Sequence, residues 1–164
     1  MPPSDPLSAD IGRLVEAANL EIAELRRFVK GLRGQGKPAY ASLLPVVRRQ
    51  ATRFGELYGI RVTVEANGEF DINESLAAEA FHIVSEGLSN IRRHTTASTA
   101  HIRLACDMDR LLVEIVNPCD GAVPVKAFTP NSICERARNL GGICKVENRP
   151  GLGTVVAVEI PLRQ

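Results

Sequence analysis

The stretch SLAAEAFHIVSEGLSNIRRHTTAST, residues Ser75–Thr99, decides the fold of this 164-residue chain. Its apolar residues recur every three or four positions, which predicts a helix with one face on a core. That face comprises Leu76, Ala80, Ile83, Val84, Leu88 and Ile91. The other side presents Glu79, His82, Glu86, Asn90, Arg93 and His94. Amide and carboxylate oxygens suit Mg²⁺, while guanidinium and imidazole groups suit phosphate, so this side is either a metal and polyanion site or a solvated polar face.

The composition is that of one soluble globular domain with an appended element. Hydrophobic residues make up 45%, charged residues 24%, and the net charge is +1, which does not favour a general nucleic-acid binder. No apolar run approaches the roughly 18 residues that span a bilayer, and the N-terminus has no signal-peptide pattern. The expected location is therefore cytoplasmic. The four cysteines have no CxxC spacing, so neither a disulfide framework nor a structural zinc site is predicted.

The N-terminal segment predicts one long helix from about Leu7 to Arg33. Its apolar residues follow a heptad pattern over three repeats, which favours a seam against another helix. Packing on its own domain is the alternative. The seam residues are Ile11, Val15, Ala18, Ile22, Leu25, Val29 and Leu32. GLRGQGKP, residues 31–38, then indicates a linker, so we divide the chain into a helical element, 1–34, and a domain, 35–164.

The rest of the chain alternates between helical and strand patterns. A helix is predicted over 41–58, ended by Gly59, and a second over 132–140, opened by a capping box of Ser132 and Glu135. The apolar face predicted for the first of these helices comprises Leu43, Leu44, Val47, Ala51, Phe54, Leu57 and Tyr58. Strands are predicted over 60–65, 101–106, 111–116, 143–148 and 154–161. With the central helix, this order predicts an α+β two-layer sandwich, in which helices cover one face of a mixed sheet.

Two stretches resemble the catalytic ATP-binding domain of sensor histidine kinases. HIVSEGLSNIRRHTTAS, residues 82–98, is similar to the N-box of that family, and CERARNLGGICKVENRPGLGTVVAVEIPL, residues 134–162, is similar to its C-terminal segment. The resemblance covers nearly the whole chain and implies a Bergerat-type (GHKL) ATPase fold. The segment before residue 34 resembles the second helix of the family's dimerisation domain, which implies a homodimer.

The resemblance also implies roles for individual residues, with ATP and Mg²⁺ as the bound groups. Asn90 is implied to ligate Mg²⁺, and Glu86 to orient a metal-bound water. Phosphate contacts are implied for Arg93 and His94, and a lining of the phosphate end for Gly151, Gly153 and Thr154. These roles agree with phosphoryl transfer, which depends on positioning and charge neutralisation.

Two motifs depart from the family pattern. Where the family has an Asp that accepts from the adenine amino group, the chain has Asn117, whose amide can accept there and also donate to a ring nitrogen. Gly121 falls on the second part of this motif, and a displaced register through Asp120-Gly121 is the alternative. Before the 132–140 helix, Thr129 and Pro130 stand where the family has glycines, so Ser132 is expected to offer its hydroxyl to phosphate instead.

The resemblance therefore implies a histidine kinase that transfers a phosphoryl group from Mg-ATP to a histidine not present in this chain, with a response regulator as partner. His82, His94 and His101 do not match the family's acceptor position. The alternative is a degenerate module, impaired in nucleotide binding, that dimerises or docks a partner through the heptad helix. A serine kinase of the same superfamily is a weaker option, because such kinases resemble the bare domain.

Overall fold

The computed structural model describes residues 39–68, 72–118, 130–149 and 151–162, with side chains from Leu43 onward. Three helices and five strands follow one another in these ranges. They are α1 (Ala39–Tyr58), β1 (Arg61–Asn67), α2 (Glu74–His94), β2 (Thr99–Cys106), β3 (Arg110–Asn117), α3 (Asn131–Asn139), β4 (Ile143–Arg149) and β5 (Gly153–Pro161). The predicted heptad helix with its seam residues, and Gly121, lie outside the described residues.

The five strands form one sheet in the order β1-β2-β3-β5-β4. Strands β1 and β2 are parallel, and the other neighbours are antiparallel, so the predicted mixed sheet and α+β class are confirmed. Helix α2 packs on β2 and β3 and also contacts both α1 and α3. All six apolar residues predicted for its core face are buried.

The antiparallel pairing of β3 with β5 sets the geometry of the sheet centre. Asn117, the last residue of β3, lies opposite Thr154, the second residue of β5. Two positions further in, Ile115 lies opposite Val156. Because side chains alternate between the two faces of a strand, these four side chains point to the same face.

Most of the apolar face predicted for α1 is confirmed, and one residue of it was predicted wrongly. Leu43, Val47, Ala51 and Phe54 are buried, but Leu57 is 55% exposed, because the packed stripe narrows in the last turn of the helix. Gly59 ends the helix as predicted: its φ is +70°, and its amide donates to the carbonyl of Gly55 at 2.9 Å.

Two further predictions were wrong. Helix α3 has no capping box: its N-cap is Pro130, no side chain caps it, and the Ser132 hydroxyl bonds outside the helix. Cys134 of α3 and Cys144 of β4 are paired as a disulfide, with their Cα atoms 5.0 Å apart. Spacing along the chain does not reveal this pair, because the packing of α3 on β4 brings the two together. Within the described ranges, no helix is long and apolar enough to cross a membrane.

Candidate functional site

Helix α2 is anchored at both ends by side-chain hydrogen bonds. At its start, the amide of Leu76 donates to Asn73 Oδ1 at 2.9 Å. At its end, Thr95 takes an extended conformation, and its hydroxyl donates to the carbonyl of Ile91 at 2.7 Å. A capped helix end holds the residues of the adjoining turn in place. The last two turns of α2 therefore present fixed side chains to the sheet.

A cleft opens between the second half of α2 and the ends of β3 and β5 that meet in the sheet. It is lined by Gly87, Asn90, Ile91, His94, Thr95, Ile115, Asn117, Thr154 and Val156. Five of these nine residues have polar side chains, but the surface that they expose to the cleft is mainly apolar, as is usual in a small-molecule site.

Gly87 lets the helix approach the sheet at the wall of this cleft. A Cβ atom at this position would lie 2.2 Å from Ile115 Cδ1, well inside van der Waals contact. Ile115 is only 2% exposed, so the isoleucine has little room to move away. The glycine is therefore required for the spacing between α2 and β3, and this spacing sets the width of the cleft.

Several buried polar atoms of the cleft have no hydrogen-bond partner within the described part of the chain. They are Asn90 Nδ2, Asn117 Oδ1 and Thr154 Oγ1, and the only other such side-chain atom in that part is Ser85 Oγ. A buried polar group left unpaired costs about 1–3 kcal/mol. Three of these four unpaired atoms belong to residues that line one cleft, and they come from three different elements. Their clustering indicates a site whose hydrogen bonds are completed by a ligand.

Helix α3 is tied to the polar side of α2 by two contacts. The hydroxyl of Ser132 donates to Glu86 Oε1 at 2.7 Å. Four residues further along α3, the Arg136 guanidinium forms a salt bridge with Glu79, and both side chains are about one-third exposed. The predicted polar face of α2 is thus partly an interface with α3 and not a freely solvated surface.

His82 lies on α2 among these charged groups. Burial lowers its pKa below the ordinary value of 6.5, and the nearby Arg136 cation lowers it further, while Glu79 and Glu86 oppose the shift. The first two causes prevail, so the imidazole favours its neutral form.

The structure brings part of the predicted site together. Asn90, His94, Asn117 and Thr154 all line the cleft, although they come from three elements. Glu86 is one helical turn before Asn90 on α2 and is held by the first turn of α3.

The other predicted residues lie outside the cleft lining. Arg93 is exposed near the end of α2. Gly151 and Gly153 have φ of +76° and +93° in the turn that leads into β5, where a non-glycine residue would be strained. The turn is closed by the amide of Leu152, which donates to the carbonyl of Arg149 at 3.0 Å. The two glycines thus shape the backbone immediately before Thr154.

Sequence reasoning missed the residues that form the walls of the cleft. Ile91 was assigned only to the core, and Gly87, Thr95, Ile115 and Val156 were not assigned to a site. One signal was available: an isolated glycine within a helical pattern often has a packing or functional reason. The apolar wall residues carry no such signal, because strand residues of a core and of a cleft have the same pattern.

The donor atoms of the site suit a magnesium–nucleotide complex. Within the described residues, no group of three or more His, Cys, Asp or Glu side chains could hold a metal ion on its own. Mg²⁺ in nucleotide sites is usually held by one or two protein oxygens together with phosphate oxygens and water. Asn90 and Glu86 can supply such oxygens from consecutive turns of α2, and the unpaired atoms of Asn117 and Thr154 suit the base.

The α+β fold of this chain is that of solved catalytic domains of histidine kinases, such as that of ThkA, with a TM-score of 0.52 and 18% identity over 75% of this chain and 93% of that domain. The structure is similar to the ATP-binding domain of PrrB from Mycobacterium tuberculosis, with a TM-score of 0.57, 17% identity, and coverage of 72% of this chain and 92% of that domain. At this identity the likeness establishes the fold.

In sequence, the homologues of this chain are sensor histidine kinases. It is 30% identical over 103 residues to the sensor histidine kinase LiaS of Bacillus subtilis, which covers 57% of this chain and 29% of LiaS. It is 25% identical over 158 residues to the signal transduction histidine-protein kinase/phosphatase DegS of Brevibacillus brevis, which covers 93% of this chain and 40% of DegS. The chain thus spans less than half the length of either relative. No family model matches it.

Proposed function

We propose that this chain is the ATP-binding catalytic part of a sensor histidine kinase. It binds ATP with Mg²⁺ and transfers the γ-phosphoryl group to a histidine other than His82, His94 and His101. The observation that carries the proposal is that three residues lining one cleft, Asn90, Asn117 and Thr154, each hold a buried polar atom without a hydrogen-bond partner among the described residues, in a domain with the histidine kinase catalytic fold. Its homology to two histidine kinases supports the same reaction.

The residues of the site divide between the two ends of the nucleotide. Thr154, which the resemblance assigns to the phosphate end, lies opposite Asn117 at the sheet centre, so we assign both residues to the edge of the base. Ile91, Ile115 and Val156 supply apolar surface for the faces of the base.

The phosphate end lies along the polar side of α2. Asn90 would hold Mg²⁺ through its side-chain oxygen, and Glu86, one turn earlier, would orient water at the metal site. When bound, Mg²⁺ neutralises negative charge on the phosphates. Arg93 and His94, at the end of the helix, would contact phosphate oxygens, and Gly151 and Gly153 would line the phosphate end. The hydroxyl of Ser132 donates to Glu86 in this structure and would have to leave that bond to donate to a phosphate at the start of α3.

The wider context of the reaction is part of the same proposal. The seam Ile11–Leu32 would form a helix–helix interface in a homodimer, the phosphoryl group would pass on to a response regulator, and the domain would work in the cytoplasm. The proposed division into residues 1–34 and 35–164 follows from the heptad pattern and the linker that ends it. The comparisons do not favour the degenerate module. A module that binds no nucleotide would also not explain why buried polar atoms of the cleft have no hydrogen-bond partner among the described residues.

Calorimetric titration with ATP tests the proposal. We expect binding that requires Mg²⁺ and that weakens at least about tenfold in Asn90→Ala, since the substitution removes a metal ligand from a partly dry site. Asn67→Ala is the matched control, because Asn67 is exposed at the end of the edge strand β1, and this substitution should leave the affinity unchanged.

Two results would contradict the proposal. One is the absence of binding heat at millimolar ATP while the far-ultraviolet circular dichroism shows an intact fold. The other is binding that is equally strong in Asn90→Ala and in the absence of Mg²⁺. A positive result would be followed by incubation with labelled ATP and a histidine-bearing dimerisation domain from a relative, with the label expected on the acceptor histidine.

A further inference from the structure

The buried end of the cleft contains neutral polar groups only. Asn117 is 4% exposed, and its Oδ1 has no hydrogen-bond partner among the described residues. Opposite it, Thr154 contributes a buried, unpaired hydroxyl. None of the described residues that line the cleft is a carboxylate, lysine or arginine. The groups that would read the edge of a base are thus an amide and a hydroxyl.

An amide differs from a carboxylate in the edges that it can match. It presents a donor and an acceptor side by side, and rotation about its terminal bond exchanges their positions. One orientation matches adenine, which offers an amino donor at position 6 beside the acceptor N1. The other matches a 6-oxopurine, which offers a carbonyl acceptor at position 6 beside the donor N1–H. A carboxylate only accepts, so it pairs with the single donor of either edge and opposes the acceptor beside that donor, which is N1 in adenine and the carbonyl oxygen in a 6-oxopurine.

Thr154 does not restore the discrimination that the amide lacks. A hydroxyl has one donor and two acceptor lone pairs, and its hydrogen rotates to suit its partner. The remaining walls at this end, including Ile115 and Val156, are apolar and contact the faces of a planar ring without distinguishing its edges. The cleft therefore has no described group that would reject a carbonyl at position 6.

We propose that this site accepts 6-oxopurine nucleotides as well as adenine nucleotides, with Asn117 as the residue that sets the breadth of base recognition. The inference rests on the proposed nucleotide-binding function and adds the class of base to it. Inosine is the informative probe, because hypoxanthine differs from adenine only in the groups at positions 6 and 1, whereas guanine adds an amino group at position 2 with its own steric demand.

The test compares the dissociation constants of ADP and IDP, both with Mg²⁺, by calorimetry on the whole chain. For the unchanged protein we expect the two constants to agree within about tenfold, since each base makes paired hydrogen bonds to the amide. In Asn117→Asp both constants should rise by on the order of tenfold or more, because a buried carboxylate would face an unpaired acceptor on either base. Asn67→Asp adds the same charge at an exposed position and should leave both constants unchanged.

The outcomes separate this inference from the function on which it rests. Tight ADP binding with IDP more than about 100-fold weaker in the unchanged protein would overturn the inference and leave the proposed function in place. Failure of both nucleotides to bind would overturn the proposed function, and the inference with it. Comparable binding of ADP and IDP supports both. The comparison on the unchanged protein decides these cases even if Asn117→Asp does not fold.

Discussion

Replacement of Gly87 by alanine tests the contact between α2 and the wall of the cleft. The added Cβ would lie 2.2 Å from Ile115 Cδ1, and 3.2 Å and 3.3 Å from Cγ1 and Cγ2. Alanine in place of glycine within a helix should stabilise by about 1 kcal/mol, but overpacking of a close-packed core costs about 1–3 kcal/mol. We expect a net loss of about 1 kcal/mol in the free energy of unfolding.

The structure also predicts which second substitution relieves this loss. Ile115→Val removes the Cδ1 atom that is too close and leaves only the contacts at 3.2 Å and 3.3 Å, which need shifts of a few tenths of an ångström. Alone, Ile115→Val should cost about 1 kcal/mol through the lost methyl group. Combined with Gly87→Ala, it should restore the benefit of alanine in the helix, so the double variant should be about as stable as the unchanged protein.

Urea unfolding of the four proteins, followed by circular dichroism, measures this cycle. The predicted coupling between the two sites is about 1–3 kcal/mol, well above the roughly 0.5 kcal/mol within which independent sites add. Gly87→Ala should also weaken ADP binding, since a displaced Ile115 side chain moves into the cleft. Additive effects, or a Gly87→Ala variant more stable than the unchanged protein, would refute the argument that this glycine sets the spacing of helix and sheet.

Three further predictions concern α2 and its neighbours. Burial lowers the pKa of His82, so the folded domain binds that proton less readily than the unfolded chain. The free energy of unfolding, measured with urea, should therefore fall as the pH drops below 6.5. His82→Gln should make this fall smaller. Ser132→Ala and Glu86→Ala should show a coupling of about 0.5–1.5 kcal/mol in a double-mutant cycle, and no coupling would contradict their hydrogen bond. Asn73→Ala should cost about 1 kcal/mol through the lost N-cap, whereas Asn73→Asp should keep most of that stability in the same urea assay.

The architecture could be predicted from the sequence because its patterns are local. Alternation of apolar residues marked the strands, and the three-to-four spacing marked α2, whose predicted core face is buried throughout. Gly59 ended α1 as predicted, since a positive φ is a property of one residue and its neighbours. Most boundaries shifted by one or two residues, because the ends of elements depend on pairing with other strands. The end of α2 was predicted wrongly by five residues: the helix stops at His94 and not at Thr99, because Thr95 is extended and the chain enters β2 at Thr99.

The errors and omissions at the disulfide and the site involve contacts between different elements, which the pattern within one element does not show. Ser132 was predicted to cap its own helix, but Glu86 of α2 offers its hydroxyl a charged acceptor. Cys134 and Cys144 come together through the packing of α3 on β4. The apolar walls of the cleft, such as Ile115, look like any core position in the sequence. The polar residues Asn90, Asn117 and Thr154 could be selected in advance because a resemblance supplied the pairing that local patterns lack.

The three unpaired atoms of the cleft belong to α2, β3 and β5, elements whose association defines the native domain. A ligand that forms hydrogen bonds with all three atoms would connect parts of the chain as far apart as Asn90 and Thr154. Its binding free energy is then added to global unfolding, rising as the logarithm of its concentration over its dissociation constant. Amide hydrogens in the middle of β3 and β5 should accordingly exchange more slowly when nucleotide is present. The unfolding temperature of the domain would then rise with the nucleotide concentration.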